Sequence, residues 1–260
     1  MKKAATALAG KPSLANLEKF ANESKLFDVS RSIKKQSTLD ENFAKWADFP
    51  YIRGQKRMNT LLIAATEGEV GPFLRLPEWQ RAGTDVLITG AGMVATAFAL
   101  GNKLATAHYD LILNVGIAGS FDRSIPLGEV VCIYRDTFAE LGAEDGGDFL
   151  DSEQLGLGRH TFEGIRQGYP ALNGLLKCQG ITVNKVHGNA VTISEIVRRL
   201  NPQTESMEGA AVFYVADQLG IPAMQVRAVS NYVERRNKAG WEIPRAIENL
   251  NGWIQAFFNP

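Results

Sequence analysis

The chain has 260 residues, with 28 Lys+Arg against 28 Asp+Glu and 45 % hydrophobic side chains. That is enough apolar material for one sizeable core, and no apolar run is long enough to span a bilayer. The zero net charge hides an asymmetry: residues 1–57 hold 12 basic and 6 acidic side chains, leaving 16 basic and 22 acidic for the rest.

Between Lys2 and Arg57 short helices are expected around Ser13–Lys25 and Leu39–Trp46, separated by polar sequence without a sustained apolar stripe. Residues 1–57 therefore read as an appendage and 58–260 as the catalytic body. Met58 is a candidate natural start, with the preceding residues an extension or the product of an upstream start. The lysines of this segment read as solvated, and no nucleic-acid or membrane partner is expected. MKKAATALAG only imitates a signal peptide, because its apolar stretch is short and lacks Leu, Ile, Val and Phe. Cys132 and Cys178 lack metal-type spacing, so buried thiols in a reducing cytoplasm are expected.

From Met58 onward apolar runs recur between turn signals. Strands are expected at Leu61–Ala65, Asp85–Thr89, Leu111–Val115, Val130–Tyr134, Gly180–Val183 and Ala223–Ala228. Helices are expected at Met93–Ala107, Ile193–Leu200, Glu208–Leu219 and Ile243–Phe258. The alternation predicts an α/β domain of three layers, with a mixed, largely parallel central sheet flanked by helices. The glycine- and acid-rich stretch Gly142–Asp151 reads as a flexible surface loop. Ligands in such sheets bind beyond the carboxyl ends of the strands, so the residues following each run carry the functional information.

Thr89-Gly90-Ala91-Gly92-Met93-Val94-Ala95 follows a strand and opens a helix with the spacing of a dinucleotide fingerprint. Its partner acid, Asp110, precedes its strand instead of ending it, so a dinucleotide is disfavoured and no cofactor is expected. A tight turn that brings backbone N–H groups to a small ligand remains. Gly116 and Gly119, after the third strand, permit close backbone approach or simply mark a strand exit. Glu67 and Glu69 open a helix after the first strand, where the dipole alone favours acids. Glu208 either caps its helix or points into the crevice, where a carboxylate can accept from two neighbouring hydroxyls. Arg227, Ser230 and Asn231 end the last strand, with Arg235, Arg236, Asn237 and Lys238 close behind. No G-x-S-x-G elbow occurs, and His108, His160 and His187 show no metal spacing, so serine-hydrolase and metal mechanisms have little support.

The order of these features resembles the nucleoside phosphorylase and nucleosidase superfamily, over about 200 residues from Met58 to the C-terminus. Within it, TFAELGAEDGGDFLD (137–151), GITVNKV (180–186), ESMEGAAVFYVA (205–216) and VRAVSNYVERRN with Trp241 (226–241) are similar to the futalosine hydrolase family. The resemblance implies that water cleaves an N-glycosidic bond through an oxocarbenium-like ribosyl cation. It implies Glu69 as the acid that deprotonates the water, and Met207 and Glu208 as the ribose-binding pair. Arg227 would lie near the water and Glu208, and Gly90, Gly92, Gly116 and Gly119 would form the turns of the site. Where adenine-releasing relatives have Ser-Asp, this chain has Ser230-Asn231. An amide donates a hydrogen bond to N7 but no proton, which favours a 6-oxopurine that shares the negative charge. Phosphate is disfavoured as nucleophile, since neither Thr66–Val70 nor Thr89–Val94 contains Arg or Lys and Glu69 would repel it. Ile117 stands where many relatives have a small hydroxyl residue, and base contacts are expected from Thr182–Asn189, in which His187 is either a ligand or a solvated loop residue. Arg235, Arg236, Asn237 and Trp241 are the candidates for the substrate's 5′ carboxyphenyl group. Relatives assemble as dimers or larger, so a homo-oligomer is expected by analogy.

Overall fold

The computed structural model describes residues 58–77 and 84–258. The expected appendage at residues 1–57 lies outside the described residues.

The sheet strands in chain order are β1 (Thr60–Ala64), β2 (Thr84–Ile88), β3 (Leu111–Ser120), β4 (Val130–Phe138), β7 (Thr161–Glu163), β8 (Leu176–Thr182), β9 (Thr204–Ser206) and β10 (Ala223–Tyr232). Between β4 and β7 lies a hairpin of β5 (Gly142–Asp145) and β6 (Asp148–Asp151). Five helices connect or follow these strands: α1 (Glu67–Leu74), α2 (Met93–Thr106), α3 (Ala190–Leu200), α4 (Gly209–Leu219) and α5 (Ile243–Phe258).

All six expected strands and four expected helices form. The sheet is mixed: β1 pairs in parallel with β2 and β3, β3 with β10, and β8 with β4 and β9, whereas β4 pairs antiparallel with β10 and β7, and β9 with β3. The expectation of three layers needs correction. The strands run in the order β10-β4-β8-β9-β3-β1-β2, and β10 also pairs with β3, so five of them close into a barrel-like ring. Register shifts at Val229/Asn231 in β10 and Ile133/Arg135 in β4 supply the local bends that closure needs.

Helices do cover both faces where β1 extends the ring. Strand side chains alternate in direction, so Leu62 and Ala64 join one core cluster with Leu250 and Ile254 of α5, while Leu61 and Ile63 join another with Val212 and Phe213 of α4. That two-sided burial explains the unbroken apolar run of β1.

The stretch read as a surface loop is the β5–β6 hairpin, with Asp145 facing Asp148 across the two-residue turn Gly146-Gly147. Gly146 adopts φ +64°, a conformation that glycine takes without a Cβ penalty. Its strands alternate poorly and stay largely exposed, so hydrophobic periodicity could not reveal them.

Candidate active site

The carboxyl ends of β1, β2, β3 and β10 and the start of α4 bring the candidate residues together. Glu69 sits in the first turn of α1 and is buried, whereas its neighbour Glu67 is exposed. One carboxylate oxygen, Oε2, accepts from the Thr66 backbone N–H at 2.9 Å and from Thr66 Oγ1 at 3.1 Å. The other, Oε1, accepts from the Ile117 backbone N–H at 3.1 Å. Position 117 therefore serves the site through its backbone, and its side chain packs against the core.

Glu208 caps α4 with its backbone: its carbonyl accepts from Ala211 N–H at 2.9 Å. Its side chain turns away from the helix. Glu208 Oε1 accepts from Gly92 N–H at 3.0 Å, and Oε2 lies 3.6 Å from Arg227 Nη1. Gly90 and Gly92 have φ of +82° and +94°, so the turn read as a fingerprint takes a path that L side chains rarely adopt. The N–H at Gly92, of the kind that would serve a phosphate in a dinucleotide site, is used by Glu208. Asp110 belongs to the opposite end of the sheet, where it accepts from Asn59 N–H at 2.8 Å.

Arg227 is the largest fully buried side chain, with 1 % of its surface exposed. Truncating one partner of a buried ion pair costs about 3–5 kcal/mol, so Arg227 and Glu208 hold each other in place. Gly116 makes the arrangement possible: a Cβ there would overlap Arg227 Nη1 and approach Glu69 Oε1 to 2.6 Å. Gly119, three residues further along β3, is also closely packed: a Cβ there would meet Val233 Cγ2 at 3.0 Å and Asn231 Nδ2 at 3.3 Å. Ser230 Oγ donates to Asn231 Oδ1 at 2.9 Å, while Asn231 Nδ2 donates to the Tyr232 carbonyl at 3.0 Å. An amide nitrogen carries two hydrogens, so one N–H remains for a ligand. Met207, half-buried, links β9 to the Glu208 cap.

The 5′ candidates are less uniform. Arg235, Arg236 and Asn237 are exposed, and Trp241 is half-buried. Arg236 stacks over the Trp241 ring at 5.0 Å. The neighbouring Glu242 N–H donates to the Ser230 carbonyl at 2.8 Å, which returns this loop to the end of β10.

Residues 61–259 match the phosphorylase superfamily. The chain belongs to that superfamily, and within it to the futalosine hydrolase family. It is 32 % identical over 189 residues to the futalosine hydrolase of Streptomyces coelicolor, covering 68 % of this chain and 77 % of that one. The futalosine hydrolase of Thermus thermophilus is 30 % identical over 191 residues, covering 71 % and 85 %. Among solved structures, a 5′-methylthioadenosine/S-adenosylhomocysteine nucleosidase from Colwellia psychrerythraea in complex with adenine superposes with a TM-score of 0.67 at 18 % identity, covering 78 % of this chain and 96 % of that one. At that identity the likeness speaks for the phosphorylase-superfamily fold alone.

Three contributors to this futalosine hydrolase-family site escaped the sequence reading. Asn251 of α5 is buried and donates from Nδ2 to the Glu69 carbonyl at 2.8 Å, while its Oδ1 accepts from Phe73 N–H at 2.9 Å. It fixes α1, and with it Glu69. The available signal was an asparagine within the buried stripe of Ala246, Leu250 and Ile254. Asp136, fully buried in β4, accepts from Thr182 Oγ1 at 2.9 Å and Gln225 Nε2 at 3.0 Å. Thr182 Oγ1 in turn accepts from Ala210 N–H at 2.7 Å, and a Cβ at Gly209 would overlap Asp136 Oδ2, so this network seats the helix start that follows Glu208. Burial pushes the Asp136 carboxyl up to about 6, against the lowering influence of Gln225, Thr182 and Arg227. The third contributor is Glu205, the partner of the candidate His187. His187 keeps 13 % of its side-chain surface and holds Glu205 Oε2 through Nδ1 at 2.7 Å, so the solvated-loop alternative does not hold.

Proposed function

We propose that this protein hydrolyses the N-glycosidic bond of futalosine, releasing hypoxanthine and dehypoxanthine futalosine, in the futalosine route to menaquinone. The observation that carries this reading is the placement of Glu69 and Glu208 on either side of Arg227, beside an asparagine at the end of β10. Together with the futalosine hydrolase relatives, it points to hydrolytic cleavage of a 6-oxopurine nucleoside.

Glu208 accepts hydrogen bonds from the ribose 2′- and 3′-hydroxyls, and Met207 packs under the sugar. As the C1′–N9 bond lengthens, its electron pair moves into the purine and positive charge gathers on the ribose ring. The Glu208 carboxylate faces that charge, a contribution on the order of 3 kcal/mol. Glu69, its ring of donors already set by Thr66 and Ile117, takes a proton from the water that adds to C1′. General base help of this kind is worth roughly 10²–10⁴-fold in rate. Asn231 donates its remaining N–H to N7 of the departing base. Arg227 steadies the two acids. Arg236 and Trp241 flank the 5′ end, where a guanidinium on an aromatic face suits a carboxyphenyl group. No metal or cofactor is assigned a part in these steps.

Residues 58–260 form the catalytic domain, and residues 1–57 are an appendage dispensable for turnover. The protein works as a cytoplasmic homo-oligomer. Val94 and Phe98, 79 % and 72 % exposed, lie one helical turn apart on α2 beside the Gly92 that holds Glu208, an apolar face suited to a second copy. The buried free thiols Cys132 and Cys178 suit a reducing compartment.

The experiment is incubation with futalosine, inosine and methylthioadenosine, with and without phosphate, followed by identification of the released base. Phosphate-independent hypoxanthine release from futalosine is expected, and Glu69→Gln should abolish most of it while sparing binding. Comparable adenine release from methylthioadenosine would overturn the substrate assignment.

A further inference from the structure

Asn231 stabilises a departing base through a hydrogen bond but has no proton to transfer. Nor has its neighbour Ser230, and the strand register brings an ionisable pair beside them. Gly119 of β3 pairs with Glu205 of β9 on one side and with Asn231 of β10 on the other. Directly paired residues across adjacent strands share one face of the sheet, so Glu205 and Asn231 flank the same bare glycine. A Cβ at Gly119 would meet Asn231 Nδ2 at 3.3 Å and Glu205 Cγ at 3.5 Å. On this face, Glu205 is 4 % exposed and its carboxylate is engaged, among the described residues, by His187 alone: His187 donates its backbone N–H to Oε1 at 3.1 Å, and its Nδ1 lies 2.7 Å from Oε2.

A buried carboxylate on Nδ1 acts on a histidine as the carboxylates behind metal-bound histidines do. It fixes the ring orientation, supports the positive charge of an imidazolium, and leaves Nε2 as the working atom. Among the described residues Nε2 has no hydrogen-bond partner. The ring is further confined by the edge of Phe121, at 6.1 Å between centroids. Of the charged groups near this loop, Glu140 accepts from Asn184 N–H at 3.0 Å, Glu234 pairs with Arg123, Arg236 lies over Trp241, and Lys185 is exposed.

We propose that the His187 imidazolium, its Nδ1–H held by Glu205, is the proton donor to the departing base, with its Nε2–H directed at the N7/O6 edge of the purine beside Asn231. In this step the C1′–N9 electron pair enters the purine, the Nε2 proton moves to the base, and hypoxanthine leaves neutral. Water adds to C1′ and yields its proton to Glu69, and exchange of that proton through solvent restores His187. The sum consumes one water and no other reactant. This proposal rests on the nucleosidase reading, and its test keeps the two apart.

Wild type, His187→Ala, His187→Gly and Glu205→Gln are assayed on futalosine, inosine and p-nitrophenyl β-D-riboside, whose phenolate leaves without being protonated. Absence of hypoxanthine release by wild type on both nucleosides would sink the nucleosidase reading itself. Given an active wild type, His187→Ala should lose about 100-fold or more in kcat on futalosine and inosine alike, with KM changed less than about threefold. Cleavage of the aryl riboside should fall by less than about threefold, and Glu205→Gln should show a smaller version of the same split. Equal losses on all three substrates, a loss confined to KM, or no loss would overturn the proposal. If wild type does not cleave the aryl riboside, imidazole added to His187→Gly decides: recovery of hypoxanthine release from futalosine supports the donor role, and no recovery overturns it.

Discussion

The carboxylate of Glu69 and the guanidinium of Arg227 converge on the bare α-carbon of Gly116, from helix α1 and strand β10 respectively. Neither side chain could hold its position if residue 116 carried a Cβ, which would overlap Arg227 Nη1 and come within 2.6 Å of Glu69 Oε1. Arg227 has nowhere to retreat, being 1 % exposed and held toward Glu208. Gly116→Ala should therefore lower kcat by at least about 100-fold, the scale of a misplaced catalytic group. It should also cost about 1–3 kcal/mol of stability through overpacking. Steady-state kinetics and urea denaturation of the variant would check both; unchanged kcat would show that this convergence does not matter to turnover.

Asn231 sits where adenine-releasing relatives place an aspartate, with its Oδ1 bound by Ser230 Oγ and Nδ2 on the Tyr232 carbonyl. Asn231→Asp keeps the shape and the Ser230 contact, but puts an oxygen against the Tyr232 carbonyl. Repulsion from that carbonyl favours the protonated carboxyl, whose single O–H must turn from the Tyr232 carbonyl to N7 to deliver its proton. The expected result is a substrate switch: hypoxanthine release from futalosine falls about tenfold or more, and adenine release from methylthioadenosine rises from its wild-type level. The ratio of the two kcat/KM values, measured by base-specific chromatography, decides. A ratio unchanged from wild type would remove residue 231 from base discrimination.

Arg236 stacks on Trp241 at the exposed end of the site, whereas the proposed sugar and base contacts lie deeper. A side chain that meets only the 5′ carboxyphenyl group should matter for futalosine and not for inosine, which lacks it. Arg236→Ala should raise the KM for futalosine about tenfold, with the KM for inosine within about twofold, since a charge-assisted contact contributes roughly 1.5–3 kcal/mol. Arg235→Ala, tested in parallel, separates the two arginines. Equal losses on both substrates would count against a 5′ role for either.

The fold was legible in the sequence because β1, β3 and β10 are buried on both faces and so are written as mostly apolar runs, unbroken in β1, where Leu61, Leu62 and Ile63 are each 1 % exposed or less, and interrupted in β3 by Asn114 and in β10 by Gln225 and Arg227. Ring closure was not legible, since it depends on the pairing of β10 with β3 and on two register shifts that leave no mark in hydrophobic periodicity. Glu69, Glu208, Arg227 and the glycines could be named as candidates because they lie after or within the carboxyl-terminal halves of strands, or at a helix start, in a family order. Their supports could not. Asn251 reaches Glu69 from 182 residues away and Asp136 reaches Gln225 from 89, so their roles exist only after the chain has folded. Local sequence marks a polar residue in an apolar stripe but not the group it will meet.

Asp136 gives one of these supports a pH signature. Its carboxyl is raised to about 6 by burial, from an ordinary value of 3.8. Between those values the folded state holds a proton that the unfolded chain has released, so stability falls as pH rises through this window. The loss is complete above about pH 6 and amounts to roughly 3 kcal/mol at about 1.4 kcal/mol per unit. Asn at this position cannot ionise, and Gln225 Oε1, which has no hydrogen-bond partner among the described residues, can accept from the new amide. Asp136→Asn should therefore gain stability relative to wild type by about that amount between pH 4 and pH 7, read from urea unfolding at a series of pH values. A difference between variant and wild type that does not change with pH would show that Asp136 is ionised throughout, and that Gln225 and Thr182 outweigh its burial.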